Sequence, residues 1–274
     1  MDFKNYIYIG VQFSRGCPFM CEFCDIIELY GRKPRAKETG QLLAELDRLY
    51  NLGYRGHVDF VDDNLIGNKK AVKLFLPHLI AWQKERGYPF EFSTEASLNL
   101  ADDSELLRLL SEARFFVVFI GIESPDDDVL NATRKKQNSK RDIAENVRTI
   151  YGYGIVVIGG FIVGFDAEKA NVAQATANLI EAATISVAMV GLLYALPNTQ
   201  LSRRPSVEGR LHQLQFTPDD GLPPGDQCNG RPQLRDVTPA RRDFGGLPRY
   251  RTGGVHAEGL LWPHPADGSC SQNT

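Results

Sequence analysis

The chain has 274 residues, 43% of them hydrophobic and 24% charged, with a formal net charge of −3. That length suits one large domain or two small ones of ordinary globular composition, and the weak negative balance argues against bulk attraction to nucleic acid or anionic lipid. No run of about 18 uncharged apolar residues predicts a membrane span, and residues 1–5 lack the charged-then-apolar layout of a signal peptide, so a cytoplasmic location is expected.

A β-branched and aromatic run at residues 6–13 predicts the first strand. A helix follows with Leu42, Leu43, Leu46, Leu49 and Tyr50 on one face. Next come a strand at 57–61 and a helix at 69–86, in which Phe75, Leu79 and Trp82 fall at core spacing. A strand at 90–94 precedes a helix at 104–113, which Asp102, Asp103 or Ser104 could cap. A strand at 115–122, a helix at 140–151, a strand at 155–163, a helix at 172–183 and a strand at 187–194 complete the series. Strands that alternate with helices and read as near-continuous apolar runs predict an α/β fold built from parallel βαβ units. An open doubly wound sheet and a barrel or partial barrel both satisfy that pattern, and both place chemistry at the C-terminal strand ends. Polar residues fall at those ends: Arg15 and the cysteines, Asp62-Asp63-Asn64, Ser93-Thr94-Glu95, Glu123-Ser124 and Asp166.

After about residue 201 the composition changes. That segment holds nine of the fifteen prolines and nine Arg, but no Lys and no Ile. Such a composition without an apolar face cannot offset ordering entropy, so residues 201–274 are expected to be mostly irregular, after a first domain at 1–200. Arg, Gly and Pro richness is also what a GC-rich gene gives out of frame, and a frame break near Cys228 is the expectation; Gly225-Asp226-Gln227-Cys228 would be the last authentic stretch.

Of five cysteines, three stand within eight residues as Cys17-Pro18-Phe19-Met20-Cys21-Glu22-Phe23-Cys24, a C-x3-C-x2-C spacing opened by Arg15-Gly16. An odd, clustered count argues for a metal or cluster rather than a disulfide framework. Thiolates suit zinc or iron–sulfur clusters. A structural zinc or an electron-transfer cluster wants four ligands, and no fourth Cys or His lies near: the histidines are 57, 78, 212, 256 and 264, and Cys228 is in the weakest part of the chain. Three ligands on a cluster leave one iron open to a substrate or cofactor.

On these residues the chain resembles the radical S-adenosylmethionine superfamily, with Phe23 matching the commonly aromatic position before the last cysteine. Residues 3–200 look closest to its cobalamin-dependent branch, which includes carbon methylases such as those acting on hopanoids and the oxygen-independent ring cyclase of bacteriochlorophyll synthesis. The matching stretches are Ser14-Arg15-Gly16-Cys17-Pro18, residues 59–64, Gly121-Ile122-Glu123-Ser124 and residues 159–165.

The resemblance implies a partial (β/α)6 TIM-type barrel with a [4Fe–4S] cluster on Cys17, Cys21 and Cys24. It implies reductive cleavage of S-adenosylmethionine to a 5′-deoxyadenosyl radical, which abstracts hydrogen from a small or lipid-like organic substrate. An external donor such as flavodoxin or ferredoxin would supply the electron. Asp62 or Asp63 resembles the position that accepts the cofactor ammonium, with a pair of helix caps before Lys69 as the plainer reading. Glu123 could accept from both ribose hydroxyls, or be a solvated strand end. Gly159 and Gly160, with Gly164, could let adenine approach the backbone, or serve close helix–strand packing. Ser93, Thr94 and Glu95 could line the pocket. Lys135 and Lys136 could meet the cofactor carboxylate, or form a solvated charge run. The branch carries a cobalamin-binding domain before the barrel. This chain starts a few residues before the first strand, so that domain is expected to be missing, Met1 to be an internal start, and cobalamin to enter only if a missing or separate domain supplies it. The rival readings are an iron–sulfur carrier, a zinc-stabilised binding module, and an inactive fragment of a larger enzyme.

Overall fold

The computed structural model describes residues 3–207. The expected irregular tail, the frame break near Cys228, Cys270 and the histidines at 212, 256 and 264 lie outside the described residues.

The chain opens with β1 (Ile9–Val11), shorter than the run that predicted it. Two-residue strands β2 (Ser14–Arg15) and β3 (Arg35–Ala36) then pair antiparallel, with a short helix α1 (Ile26–Leu29) between them. From there helices and strands alternate: α2 (Thr39–Asn51), β4 (Gly56–Phe60), α3 (Lys69–Glu85), β5 (Phe90–Ala96), α4 (Ser104–Glu112) and β6 (Phe115–Glu123). The rest are α5 (Asp127–Ala132), α6 (Ile143–Tyr151), β7 (Val156–Val163), α7 (Val172–Ala183), β8 (Val187–Leu192) and α8 (Gln200–Val207). The main sheet has six strands in the order β1-β4-β5-β6-β7-β8, every neighbouring pair parallel. Sequential parallel order with helical crossovers is the topology of a partial (β/α)6 barrel.

Caps settle several boundaries. Asp103 is the one that caps α4, accepting from the Leu106 N–H at 3.1 Å. Asn68 caps α3 by accepting from Ala71 N–H at 3.1 Å, so Asp62 and Asp63 are not that helix's caps. Helix α6 starts at Ile143 rather than 140, because Asp142 caps it and Lys140 has a left-handed backbone (φ 58) that a helix excludes.

The strand pleat sorts side chains onto two faces. Phe60, Phe92, Val118, Ile120 and Val157 are buried against the helices. Phe60, Phe92 and Phe115 meet pairwise at 5.1–5.2 Å between ring centroids, each burial contributing about 2 kcal/mol. Phe75, Leu79 and Trp82 are in this core, as their spacing predicts. Alternate positions form the inner face: Asp59 pairs with Ser93, Glu95 with Phe119, and Gly121 with Gly160. A second, smaller core gathers Val129, Phe165, Leu193, Ala195 and Leu201, with Phe23 packed on it. The expected boundary after residue 200 falls inside α8, which reaches back to the cysteine loop. No described helix is long and apolar enough to cross a membrane.

Candidate active site around the cysteine loop

The cysteines occupy the long connection after β1, at the C-terminal mouth of the sheet. Gly16 opens the loop with φ 98, and a Cβ there would stand 2.9 Å from the Gly31 carbonyl, so glycine is required. Cys17 N–H donates to that carbonyl at 3.3 Å. Asp62, 1% exposed, ties down the approach: it accepts from Phe13 N–H at 2.9 Å, from Ser14 Oγ at 2.6 Å and from Ser14 N–H. Burial pushes its carboxyl up to about 6 against those hydrogen bonds. Asp63 accepts from Gly16 N–H at 3.1 Å through Oδ2. Both aspartates therefore hold the cysteine loop.

The far side of the loop is tied to distant segments. Glu22 N–H donates to Thr133 O at 3.0 Å, and Glu22 O accepts from Leu201 N–H at 2.8 Å. Amides reach two sulfurs: Gln137 Nε2 donates to Cys21 Sγ at 3.5 Å and Asn64 Nδ2 to Cys17 Sγ at 3.9 Å. Burial raises the Cys17 thiol and pushes Cys24 up to about 11. Buried thiols that stay neutral on their own become thiolates when a cation binds them, so the donor set suits a metal cluster. Among the described residues no three His, Cys, Asp or Glu side chains are gathered as a site for a metal ion. A cubane asks less than a single ion does, since each thiolate binds its own iron.

Glu123 ends β6 with φ 70, a strained conformation for a residue with a side chain, beside a register shift against β7. It is 7% exposed, not a solvated strand end, and its Oε1 meets Lys135 Nζ at 2.7 Å. Lys135 is 9% exposed rather than part of a solvated charge run, whereas Lys136 is exposed. Burial works against the Lys135 charge, but Glu123 and Cys21 outweigh it and hold the ammonium above its ordinary value. A Cβ at Gly121 would crowd both partners, so that glycine makes room for the pair.

Ser93, Thr94 and Glu95 lie inside β5 rather than at its end. Thr94 faces the helices, donating to Phe60 O at 2.9 Å. Ser93 faces inward, bonded to His57 Nε2 at 2.6 Å and donating to Asp59. The single hydroxyl proton goes to Asp59, which assigns the Nε2 proton to His57. Glu95 also lies on this face; its Oε2 is buried with no hydrogen-bond partner among the described residues, and burial, with Asp59 next, pushes its carboxyl up to about 7. The two glycines divide the readings offered for them. Gly159 serves close packing, its absent Cβ leaving space for Phe161, Ile122 and Ile185, and Gly160 lies under the Phe119 ring on the inner face. Gly164 turns the chain at φ 110 while its N–H meets the Glu168 carboxylate at 2.9 Å.

Sequence reasoning missed His57, Asp59 and Gln137. A carboxylate inside the apolar run His57–Phe60 was the available signal for Asp59; Gln137 carried none. A cleft of about 300 Å³ between α8 and the cysteine loop is lined by Glu22, Arg134, Asp166 and Arg204. Its arginines are committed, Arg134 to Gln200 at 2.6 Å and Arg204 to Glu22 and Asp166 at 3.1 and 2.8 Å.

A parallel sheet with three cysteines at its mouth agrees with the sequence profile of the radical SAM superfamily, which matches residues 11–180. The chain belongs to the radical SAM superfamily. That superfamily is one whose members use a [4Fe–4S] cluster and S-adenosylmethionine. This radical SAM chain is 51% identical over 211 residues to an uncharacterized methyltransferase of Synechocystis sp., covering 77% of this chain and 39% of that protein. It is 47% identical over 208 residues to the hopanoid C-2 methylase of Rhodopseudomonas palustris, covering 76% and 40%. It thus spans about two-fifths of the length of these curated relatives. Its fold matches the radical S-adenosylmethionine methyltransferase TsrM from Kitasatospora setae, solved with cobalamin and a [4Fe–4S] cluster. The TM-score is 0.66 at 16% identity, over 73% of this chain and 37% of that one.

Proposed function

We propose that Cys17, Cys21 and Cys24 hold the [4Fe–4S] cluster of a methylase-like radical SAM enzyme acting on a small or lipid-like organic substrate. The observation that carries this reading is the single loop presenting three buried or half-buried thiols, braced from both sides and with amide donors at two sulfurs. When bound, the cluster supplies the electron that cleaves S-adenosylmethionine to a carbon radical. The chain's own residues then have distinct tasks. Asp62 spends both oxygens on the loop, so Asp63, whose Oδ1 has no hydrogen bond among the described residues, is the better acceptor for the cofactor ammonium. Glu123 stands where a ribose acceptor is expected, and Gly160, Ser93 and Glu95 form an inner wall for cofactor or substrate. Flavodoxin or ferredoxin would deliver electrons in the reducing cytoplasm, and cobalamin, where it serves methyl transfer, would be held outside residues 3–207.

Anaerobic reconstitution tests the reading. About four irons per chain are expected, with an EPR signal of the reduced cluster that changes on adding S-adenosylmethionine, and slow release of 5′-deoxyadenosine. Cys21→Ser should lose most of the iron. Zinc retained in place of iron, or an EPR signal indifferent to the cofactor, would overturn it.

A further inference from the structure

Residues 133–137 run alongside the cysteine loop. Thr133 O receives Glu22 N–H at 3.0 Å, Lys135 Nζ lies 5.8 Å from the centre of the Phe23 ring, and Gln137 Nε2 reaches Cys21 Sγ at 3.5 Å. Lys135 is therefore a buried cation placed against the residues between and beside the cysteines, and its one hydrogen-bonded partner among the described residues is Glu123. The ammonium is hydrogen-bonded to Glu123 and stands over the ring of Phe23, the residue that separates Glu22 from Cys24 in the loop. Net charge and hydrogen bonds around the sulfurs set the potential of an iron–sulfur cluster, and a charge in a poorly solvated site acts more strongly than one in water.

We infer that Lys135 is a positioning residue that sets the electron affinity of the cluster, its ammonium stabilising the reduced form while Glu123 holds it in place and moderates its charge. This rests on the reading that the three cysteines hold a [4Fe–4S] cluster. It separates the roles of two side chains that lie together at the mouth of the sheet. The sign of the effect follows from charge alone. Accepting an electron makes the cluster more negative, so removing the cation should make reduction harder, and removing the anion should make it easier.

The test is a mediated redox titration of the reconstituted protein, followed by EPR, on the wild type and on Lys135→Met, Lys135→Arg and Glu123→Gln. Iron per chain is measured on each. At a fixed poise, Lys135→Met should lower the ratio of reduced to oxidised cluster about tenfold, equal to 59 mV for a one-electron couple. Lys135→Arg should restore most of the loss, and Glu123→Gln should raise the ratio. A merely structural role would not give opposite signs to the two members of one ion pair. An unchanged midpoint in Lys135→Met, with a weaker response to S-adenosylmethionine, would overturn the inference and make Lys135 a cofactor contact. If Lys135→Met fails to load iron, Glu123→Gln decides: a midpoint that stays or falls overturns the inference. Absence of iron from the wild type would instead overturn the cluster reading.

Discussion

Glu95 is the most exposed to consequence of the single residues. Its carboxyl is pushed up to about 7 by burial and by Asp59, with Asp62 and Asp63 adding to the effect. Between its unfolded value and about 7 the folded protein binds the extra proton, so stability falls as pH rises through that window. Glu95→Gln removes this titration and keeps the shape. The variant should gain on the wild type between pH 5 and 8 by at most about 2 kcal/mol, since solvent reaching the group weakens the effect. Urea midpoints at both pH values measure it; curves that fall in parallel would show that Glu95 ionises normally. The same carboxyl, protonated near neutrality, can donate a hydrogen bond to a ligand as well as accept one.

At the scale of elements, the loop after β1 depends on an aspartate at the end of the neighbouring strand. Removing Asp62 leaves two backbone N–H groups and a hydroxyl without a partner where Phe13 and Ser14 are 2% and 4% exposed. Asp62→Ala should therefore cost about 3 kcal/mol in chemical denaturation and lower iron loading, although the hydrogen bonds of Asp62 go to Phe13 and Ser14 rather than to a cysteine. Equal iron loading would show that the loop keeps its form without this anchor. The main strands and helices were legible because each is a long apolar run or a periodic face. The β2–β3 ribbon was not, since two-residue strands of Ser, Arg and Ala carry no period. Helices α5 and α8 were hidden for a similar reason, being short and polar. The three cysteines stood out by spacing alone. The Lys135–Glu123 pair did not, because a buried lysine looks like any other in a run of basic residues until its partner folds against it. The polar inner wall was half legible: Ser93 and Glu95 drew notice as polar residues among apolar ones, but the hydrogen-bonded chain through His57 and Asp59 required the strand register.

At the scale of the whole molecule, the described residues are organised around two cores of different size. The large one joins the sheet to its helices and owes nothing to the cysteine loop. The small one, around Leu201, Phe165 and Val129, underlies the loop and is closed by the last described helix. Leu201 is 1% exposed, and Leu201→Ala should open a cavity costing about 2–4 kcal/mol there. Hydrogen exchange should then speed at Glu22 and Cys24, while Phe92 and Val118 stay protected. Uniform loss of protection would mean one cooperative unit instead of two.

The contact between Leu201 and Glu22 also has a consequence in time. A ribosome making about 5–20 residues per second needs roughly 10–35 s to travel from the cysteines to the segment that clasps them. During that interval the thiols have emerged but their frame has not closed. Metal delivery to this protein is thus expected to follow synthesis rather than accompany it, with nascent chains stalled at residue 190 taking up far less iron than chains stalled well beyond residue 207.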